Sequence, residues 1–372
     1  MTATQLPAIF DTIVERPAHE WMADEQRAVG VTCSFVPEPL LSVDGLVPVR
    51  VRARGSAATP LADTYLSSVV CPYVRALLES VLDGAQRRLA GWVLAASCDH
   101  LRRLVDNLEY LEQPAFLHVL DVPHKSDDLA VEFYAAELGR LAERLAEAFD
   151  VDLSTEAVQR AIAAHNEHLE IIRCLYELRF RDPPALSGAD LHRVLVACSL
   201  APKDRLREPL RELCRRLERS PAVEPPRARL LVVGSQVDDP GYLRVIESQG
   251  AVVVADRFCC MSLPLAEPIA ITAQPIRELA RHHLRQTSCP RMMDSADDRL
   301  DEVARWAELS HADGIVLAPM KFCDLWGVES SLLGDALRER GFPVLRLERE
   351  YALSGEGQTR TRVQAFIESM GK

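Results

Sequence analysis

Three cysteines far apart in the sequence share one local setting. Cys71 closes Ser-Ser-Val-Val-Cys-Pro-Tyr-Val-Arg, Cys98 closes Gly-Trp-Val-Leu-Ala-Ala-Ser-Cys-Asp-His, and Cys323 closes Gly-Ile-Val-Leu-Ala-Pro-Met-Lys-Phe-Cys-Asp. Each follows a short apolar, strand-like run and precedes, at once or within a few residues, a helix-like pattern. Thiolates are soft ligands, and three of them can hold three irons of a cubane iron–sulfur cluster while the fourth iron stays open. A helix start suits that task, because its partial positive charge favours thiolate over thiol. In open α/β sheets the carboxyl ends of strands are where ligands bind. The sequence therefore predicts that folding gathers Cys71, Cys98 and Cys323 at one such edge. Zinc, the commonplace reading of clustered cysteines, asks for close pairs, and none flanks these three. Cys259-Cys260 is the one tight pair in the chain; adjacent side chains diverge, so one is expected buried and the other near a pocket. Cys33, Cys174, Cys198 and Cys214 fall on strand- or helix-like faces and read as core, the usual lot of a free cysteine.

The elements that must position these thiols alternate along the N-terminal third. Apolar strand-like runs occupy 29–35, 47–51, 92–96 and 116–120. After Cys71, Pro72 suits a first helical position, Val74, Leu77, Leu78, Val81 and Leu82 recur on one face, and Gly84 supplies the stop. After Cys98, Leu101, Leu104, Val105 and Leu108 mark a second buried stripe. From 127 to 219 the pattern becomes nearly continuous amphipathic helix, with Ser154 at a capped start. Ser220-Pro-Ala-Val-Glu-Pro-Pro-Arg reads as a linker. Strand-like runs then return at 230–233, 251–255, 314–317 and 344–347, separated by helical patterns. Alternating β and α of this kind predicts parallel sheets covered by helices. The expected fold is α/β, with two Rossmann-like parallel-sheet domains, a helical insertion between them and the thiol site at the domain interface. The corresponding ranges are 1–125, 126–225 and 226–372.

Bulk properties narrow the function. A net charge of −12 argues against a nucleic-acid partner, which needs a dominant basic footprint. No stretch approaches the ~18 consecutive apolar residues of a membrane span. The first residues form neither a basic nor an apolar signal region, so the expected location is the cytoplasm, where ten cysteines are kept reduced. Val-Val-Gly-Ser-Gln followed by Asp256 superficially resembles a dinucleotide-binding turn with its ribose acid. Only Gly234 stands where that turn needs three glycines. No G-x-x-x-x-G-K-[ST] run is present, so the chain carries no Walker-type ATPase of its own.

A wider set of motifs adds a family resemblance. Cys-Ser-Phe-Val-Pro-Glu at 33–38 with Gly-Leu-Val-Pro from 45, Cys-Pro-Tyr-Val-Arg from 71, Ser-Cys-Asp from 97 and Asp-Val-Pro-His-Lys from 121 occur in order. Gly-Ala-Val-Val-Val from 250 with Asp256, Lys-Phe-Cys-Asp from 321, and Gly-Gln-Thr-Arg-Thr-Arg from 357 with Ala365-Phe follow. In order and spacing the chain resembles the 2-hydroxyacyl-CoA dehydratase / benzoyl-CoA reductase family, and is similar in length to its smaller subunits. That resemblance implies a [4Fe–4S] cluster, or a larger bridged iron–sulfur cluster, on Cys71, Cys98 and Cys323. It implies an acyl-CoA substrate, a paralogous subunit or second copy as partner, and a separate ATP-dependent iron–sulfur activator that injects a low-potential electron. One electron added to the thioester carbonyl gives a ketyl radical, opening dehydration or ring reduction that closed-shell acid–base chemistry does not reach. Arg75, Asp99, His100, Lys321 and Asp324, beside the thiols, are candidates for tuning the site; each is otherwise a solvated helix-start or loop residue.

The pattern departs from the family in two places. Where the family commonly has glutamate two residues after the proline of its first motif, this chain has Pro39, with the acid at Glu38. Glu38 is the candidate proton carrier from that shifted position. Phe258-Cys-Cys-Met also lacks a glycine frequent in relatives. Two competing expectations stand beside the catalytic subunit: a cluster-carrying electron-relay subunit without substrate, and a cluster-free two-domain α/β enzyme such as a nucleotide-sugar transferase.

Overall fold

The computed structural model describes residues 6–16, 22–23, 25–43, 45–53, 58–219, 225–259, 267–285 and 289–372. Cys260 and positions 220–224 of the proline-rich linker lie outside them. In chain order the first part forms α1 (Ala8–Glu15), β1 (Arg27–Val31), β2 (Leu46–Arg50), α2 (Pro72–Leu82), β3 (Gly91–Ala95), α3 (Asp99–Asn107) and β4 (Leu117–Leu120). Four helices follow: α4 (Asp128–Phe149), α5 (Thr155–Phe180), α6 (Gly188–Cys198) and α7 (Lys203–Arg219). The last part runs β5 (Ala228–Gly234), α8 (Gly241–Glu247), β6 (Ala251–Phe258), α9 (Pro275–Leu284) and α10 (Ala296–Leu309). It ends with β7 (Gly314–Ala318), α11 (Asp324–Glu339), β8 (Val344–Arg346) and α12 (Glu356–Ser369).

The strands form two four-stranded sheets, ordered β2-β1-β3-β4 and β6-β5-β7-β8, and every pairing is parallel. This is the expected α/β fold with two parallel-sheet domains. Strands such as β3, β5 and β7 are buried at every position, which is why they read as unbroken apolar runs rather than alternating ones. In both sheets the chain moves to one side for its second strand and to the other for its third. The crevice of each sheet therefore opens beyond the ends of β1 and β3, or of β5 and β7. Cys33 and Cys98 follow the first pair, and Cys323 follows β7.

The helices from α4 to α7 brace both sheets. Leu138, Leu141 and Leu145 of α4 share a core with Val29, Val31 and Val93. Leu175 of α5 and Leu210 of α7 share another with Leu231 and Ala255 of the second sheet. Ser154 caps α5 as its sequence suggests, accepting a hydrogen bond from the Ala157 N–H at 3.3 Å. The expected strand at 29–35 is shorter in the structure: β1 ends at Val31, paired with the last residue of β2, and a turn from Cys33 to Val36 carries the chain out of the sheet. Helices α1 and α9 leave little trace in the sequence, because each buries few apolar positions, Phe10, Ile13 and Val14 in one and Leu279, Ala280 and Leu284 in the other.

The dinucleotide-like residues have structural roles. A Cβ at Gly234 would lie 2.3 Å from the Ala318 carbonyl oxygen, so glycine is needed there for the close approach of β5 to β7. Asp256 is fully buried, taken up by the Arg179 guanidinium and the Tyr176 hydroxyl. The sheets also meet directly. Ser34 Oγ donates to the Cys259 carbonyl at 3.1 Å, and the Ala53 N–H donates to Tyr351 Oη at 3.0 Å.

Candidate functional site

Cys71, Cys98 and Cys323 are each the residue that caps a helix N-terminus, of α2, α3 and α11 respectively. Pro72 begins α2 without wasting an N–H. Cys71 is buried, and Cys98 and Cys323 pack against the same apolar cluster, which joins Trp92 and Leu94 of the first sheet to Met320 before α11. Three positive helix ends thus face three thiols at the seam between the sheets, an arrangement that favours negative charge there. Burial works the other way. It pushes the Cys71 thiol far up, and the charges of Cys98 and Cys323 push it further, against the N–H groups of Val74 and Tyr73. Burial likewise raises Cys98 to about 12 and Cys323 to about 11, opposed by the N–H groups of Leu101 and of Trp326. The charges of Cys98 and Cys323 act on Cys71, and that of Cys323 acts on Cys98.

His100 ties these helix starts together. Its Nδ1 accepts a hydrogen bond from the Cys71 backbone N–H at 3.2 Å, and its Nε2 lies 3.4 Å from Asp324 Oδ2. Accepting at Nδ1 puts the ring proton on Nε2, toward the carboxylate. One imidazole on α3 thus spans from the residue capping α2 to the first residue of α11, across the seam. The other residues flagged beside the thiols have separate partners. Arg75 pairs with Asp63 at 2.5 Å and donates to Thr59. Lys321 pairs with Glu350 at 3.2 Å and lies over the Phe322 ring. Asp99 stands exposed in the first turn of α3. Glu38 lies apart from the three thiols, hydrogen-bonded to Lys203 at 2.6 Å.

A second thiol group adjoins the first, which sequence reasoning missed. Cys33, read as core, is buried just past β1; Cys259 follows β6; Cys289, which carried no readable signal, precedes α10. Burial and the neighbouring Cys259 raise the Cys33 thiol. Cys259 is raised well above its ordinary value by its hydrogen bond with Cys289 and by burial. Cys98 feels both Cys33 and Cys259, and Cys323 feels Cys259. The buried Arg291 guanidinium donates to the Ser97 and Val122 carbonyls and faces the charges of Cys289, Cys33 and Cys98. The available signal lay in position after a strand, which Cys33 and Cys259 share with Cys98 and Cys323; the apolar run before Cys71 forms turns rather than the expected strand, so Cys71 is marked by its helix start alone.

The donor set is all thiol, which suits soft metals and iron–sulfur clusters. Among the described residues no three His, Cys, Asp or Glu side chains converge closely enough to hold a single metal ion. A cluster asks for a looser ring, because each thiolate binds a different iron. The residues present therefore fit a thiolate-held cluster in donor type, and the first three share one apolar cluster.

Comparison with known proteins agrees with this architecture. The family described as "2-hydroxyglutaryl-CoA dehydratase, D-component" matches residues 33–370. A candidate dehydratase subunit, YjiM, of Escherichia coli (strain K12) is 26% identical over 389 residues, covering 99% of both chains. The (R)-phenyllactyl-CoA dehydratase beta subunit of Clostridium sporogenes is 23% identical over 97% of each chain. A subunit of the benzoyl-CoA reductase of Thauera aromatica is 22% identical over 91% of this chain and 90% of its own. Among the described residues no helix is long and apolar enough to cross a membrane.

Proposed function

The chain belongs to the 2-hydroxyglutaryl-CoA dehydratase D-component family, and on that footing we propose that it is the iron–sulfur subunit of an acyl-CoA dehydratase or benzoyl-CoA-reductase-like enzyme. The observation that carries this reading is the meeting of Cys71, Cys98 and Cys323, each at a helix N-terminus, in one apolar cluster at the seam. Those three thiolates would hold a [4Fe–4S] cluster. When bound, such a cluster supplies the low-potential, single-electron transfer to an acyl-CoA thioester that protein side chains lack. The chain's own residues do the rest. The helix ends stabilise the thiolate charge, the apolar cluster keeps water away from the sulfurs, and His100 fixes Cys71 relative to Asp324. A paralogous subunit or second copy, and a separate ATP-hydrolysing iron–sulfur activator, complete the enzyme in the cytoplasm. That division fits a chain without a Walker motif of its own.

A larger cluster is favoured by a specific observation: Cys33, Cys259 and Cys289 lie beside the first three thiols and are electrostatically linked to them. Six thiolates are what two cubanes joined through a bridging sulfide would use, three on each. Iron and sulfide analysis of anaerobically purified protein tests both readings. About four irons per chain supports the single cubane, and about eight supports the bridged cluster. Protein that takes up no iron under reconstitution would return the chain to the cluster-free α/β class. A change in the cluster's EPR spectrum on adding acyl-CoA to the isolated subunit would mark it as substrate-binding rather than a relay.

A further inference from the structure

A buried cation stands beside both groups of thiols. Arg291, in the segment between α9 and α10, is 5% exposed. Its guanidinium donates to the Ser97 carbonyl at 3.1 Å and to the Val122 carbonyl. Ser97 comes after β3 and directly before Cys98, and Val122 follows β4. The fork is therefore anchored on strand ends of the first sheet. Its backbone lies two residues beyond Cys289, and its carbonyl oxygen is 3.3 Å from His124 Nδ1. The remaining Nε–H is buried and makes no hydrogen bond among the described residues. Such a donor is costly to leave unmet, and a charged sulfur is an acceptor that would satisfy it.

Charge balance gives a reason for a guanidinium in this place. Thiolates gathered in an apolar seam concentrate negative charge, which burial penalises unless a cation offsets it. Three arginines supply that offset. Arg50, 6% exposed and hydrogen-bonded to Ser34 Oγ at 3.0 Å, acts on Cys33 and Cys259. Arg349 acts on Cys323. Arg291 acts on Cys98 of the first group and on Cys33 and Cys289 of the second. A guanidinium does not give up its proton inside a protein, so the charge is permanent.

We propose that Arg291 is the fixed counter-charge of the thiol site and sets the reduction potential of the cluster held there; the proposal rests on the function proposed above. The step concerned is electron transfer alone. A low-potential one-electron donor, an iron–sulfur protein or its chemical substitute, loses one electron, and the site gains it as one unit of negative charge. No bond forms or breaks, and Arg291 neither gives nor takes a proton. Its positive charge stabilises the reduced state over the oxidised one and so raises the potential. At the effective dielectric of buried sites, a neighbouring unit charge changes such an equilibrium by more than about tenfold. For one electron, tenfold is about 59 mV.

The two carbonyl bonds offer a purely structural alternative, and two variants separate it from the charge. Arg291→Lys keeps the charge and loses the fork, whereas Arg291→Met loses both. The full-length proteins are reconstituted anaerobically with iron and sulfide, iron per chain is counted, and the potential is read by EPR during a stepwise redox titration. Arg291→Met should be harder to reduce by at least ~10-fold in the equilibrium constant, a fall of about 59 mV or more. Arg291→Lys should stay close to the wild type. If Arg291→Met takes up no iron while Arg291→Lys does, the same need for charge is expressed in binding, and the proposal stands. Any result in which lysine does no better than methionine, in potential or in iron uptake, would overturn the charge role and leave the iron–sulfur reading intact. Failure of the wild type to take up iron would overturn that reading and the counter-charge with it.

Discussion

The iron-free protein should resist alkylation at its central thiols, and the resistance should have a specific pH signature. Burial, supplemented by the neighbouring sulfurs, places Cys323 near 11 and Cys98 near 12. At pH 8 about one part in a thousand of a thiol at 11 is thiolate, against about a quarter for an exposed cysteine near 8.5. Only the thiolate reacts with iodoacetamide. Cys323 should therefore react about 200-fold more slowly than a free cysteine, and Cys98 about tenfold more slowly again. Protonation and simple inaccessibility are separable. Between pH 8 and pH 10 a protonated thiol speeds up about tenfold per unit, whereas an exposed one levels off as it passes its own midpoint. The assay is a pH series with peptide mapping by mass spectrometry, run anaerobically and repeated in urea, where all cysteines should react alike. Alkylation of Cys323 at pH 8 at the rate of an exposed thiol would refute the reasoning, since the seam would then be open to water. A rate that is slow but flat from pH 8 to pH 10 would refute the protonation argument alone.

Other consequences follow from named contacts. Asp256→Ala should destabilise the protein by about 3–5 kcal/mol in urea melts, because it strands the fully buried Arg179; a variant as stable as wild type would contradict the pairing. His100→Phe removes the acceptor for the Cys71 N–H and the contact to Asp324, leaving a donor unmade at a cost of about 1–3 kcal/mol. It should release iron to a chelator faster than wild type, with His100→Asn intermediate. Glu38 contributes stability that is present above its unfolded value near 4.3 and is lost as pH falls through its depressed folded value. Glu38→Gln should therefore lose about 1 kcal/mol at neutral pH and show a flatter acid limb; an unchanged acid limb would count against the Lys203 pairing.

Much of this architecture is readable locally. A strand end followed by a helix start is encoded within some fifteen residues, so Cys98 and Cys323 stood out by their surroundings, whereas Cys71 is marked by its helix start and the run before it forms turns, not a strand. The alternation of apolar runs and helical stripes likewise gave two parallel sheets, because strands buried on both faces leave an unmistakable composition. What was not readable depends on distant meetings. Ser34 touches the Cys259 carbonyl across the seam, and no periodicity announces that Cys33 and Cys259 will face each other. His165 and His168 lie one turn apart on α5, and nothing in the helical pattern announces that Glu38 will line a cavity with them. Asp256 has only a superficial likeness to a ribose-binding acid in sequence, and its actual partner Arg179 sits in a different region of the chain.

The central claim concerns where iron is bound, so diffraction from anaerobic crystals at the iron absorption edge addresses it most directly. The account predicts anomalous density bonded to the sulfurs of Cys71, Cys98 and Cys323, at the N-termini of three helices. Iron bound elsewhere, or a seam in which any of those three sulfurs is left without an iron neighbour, would contradict it.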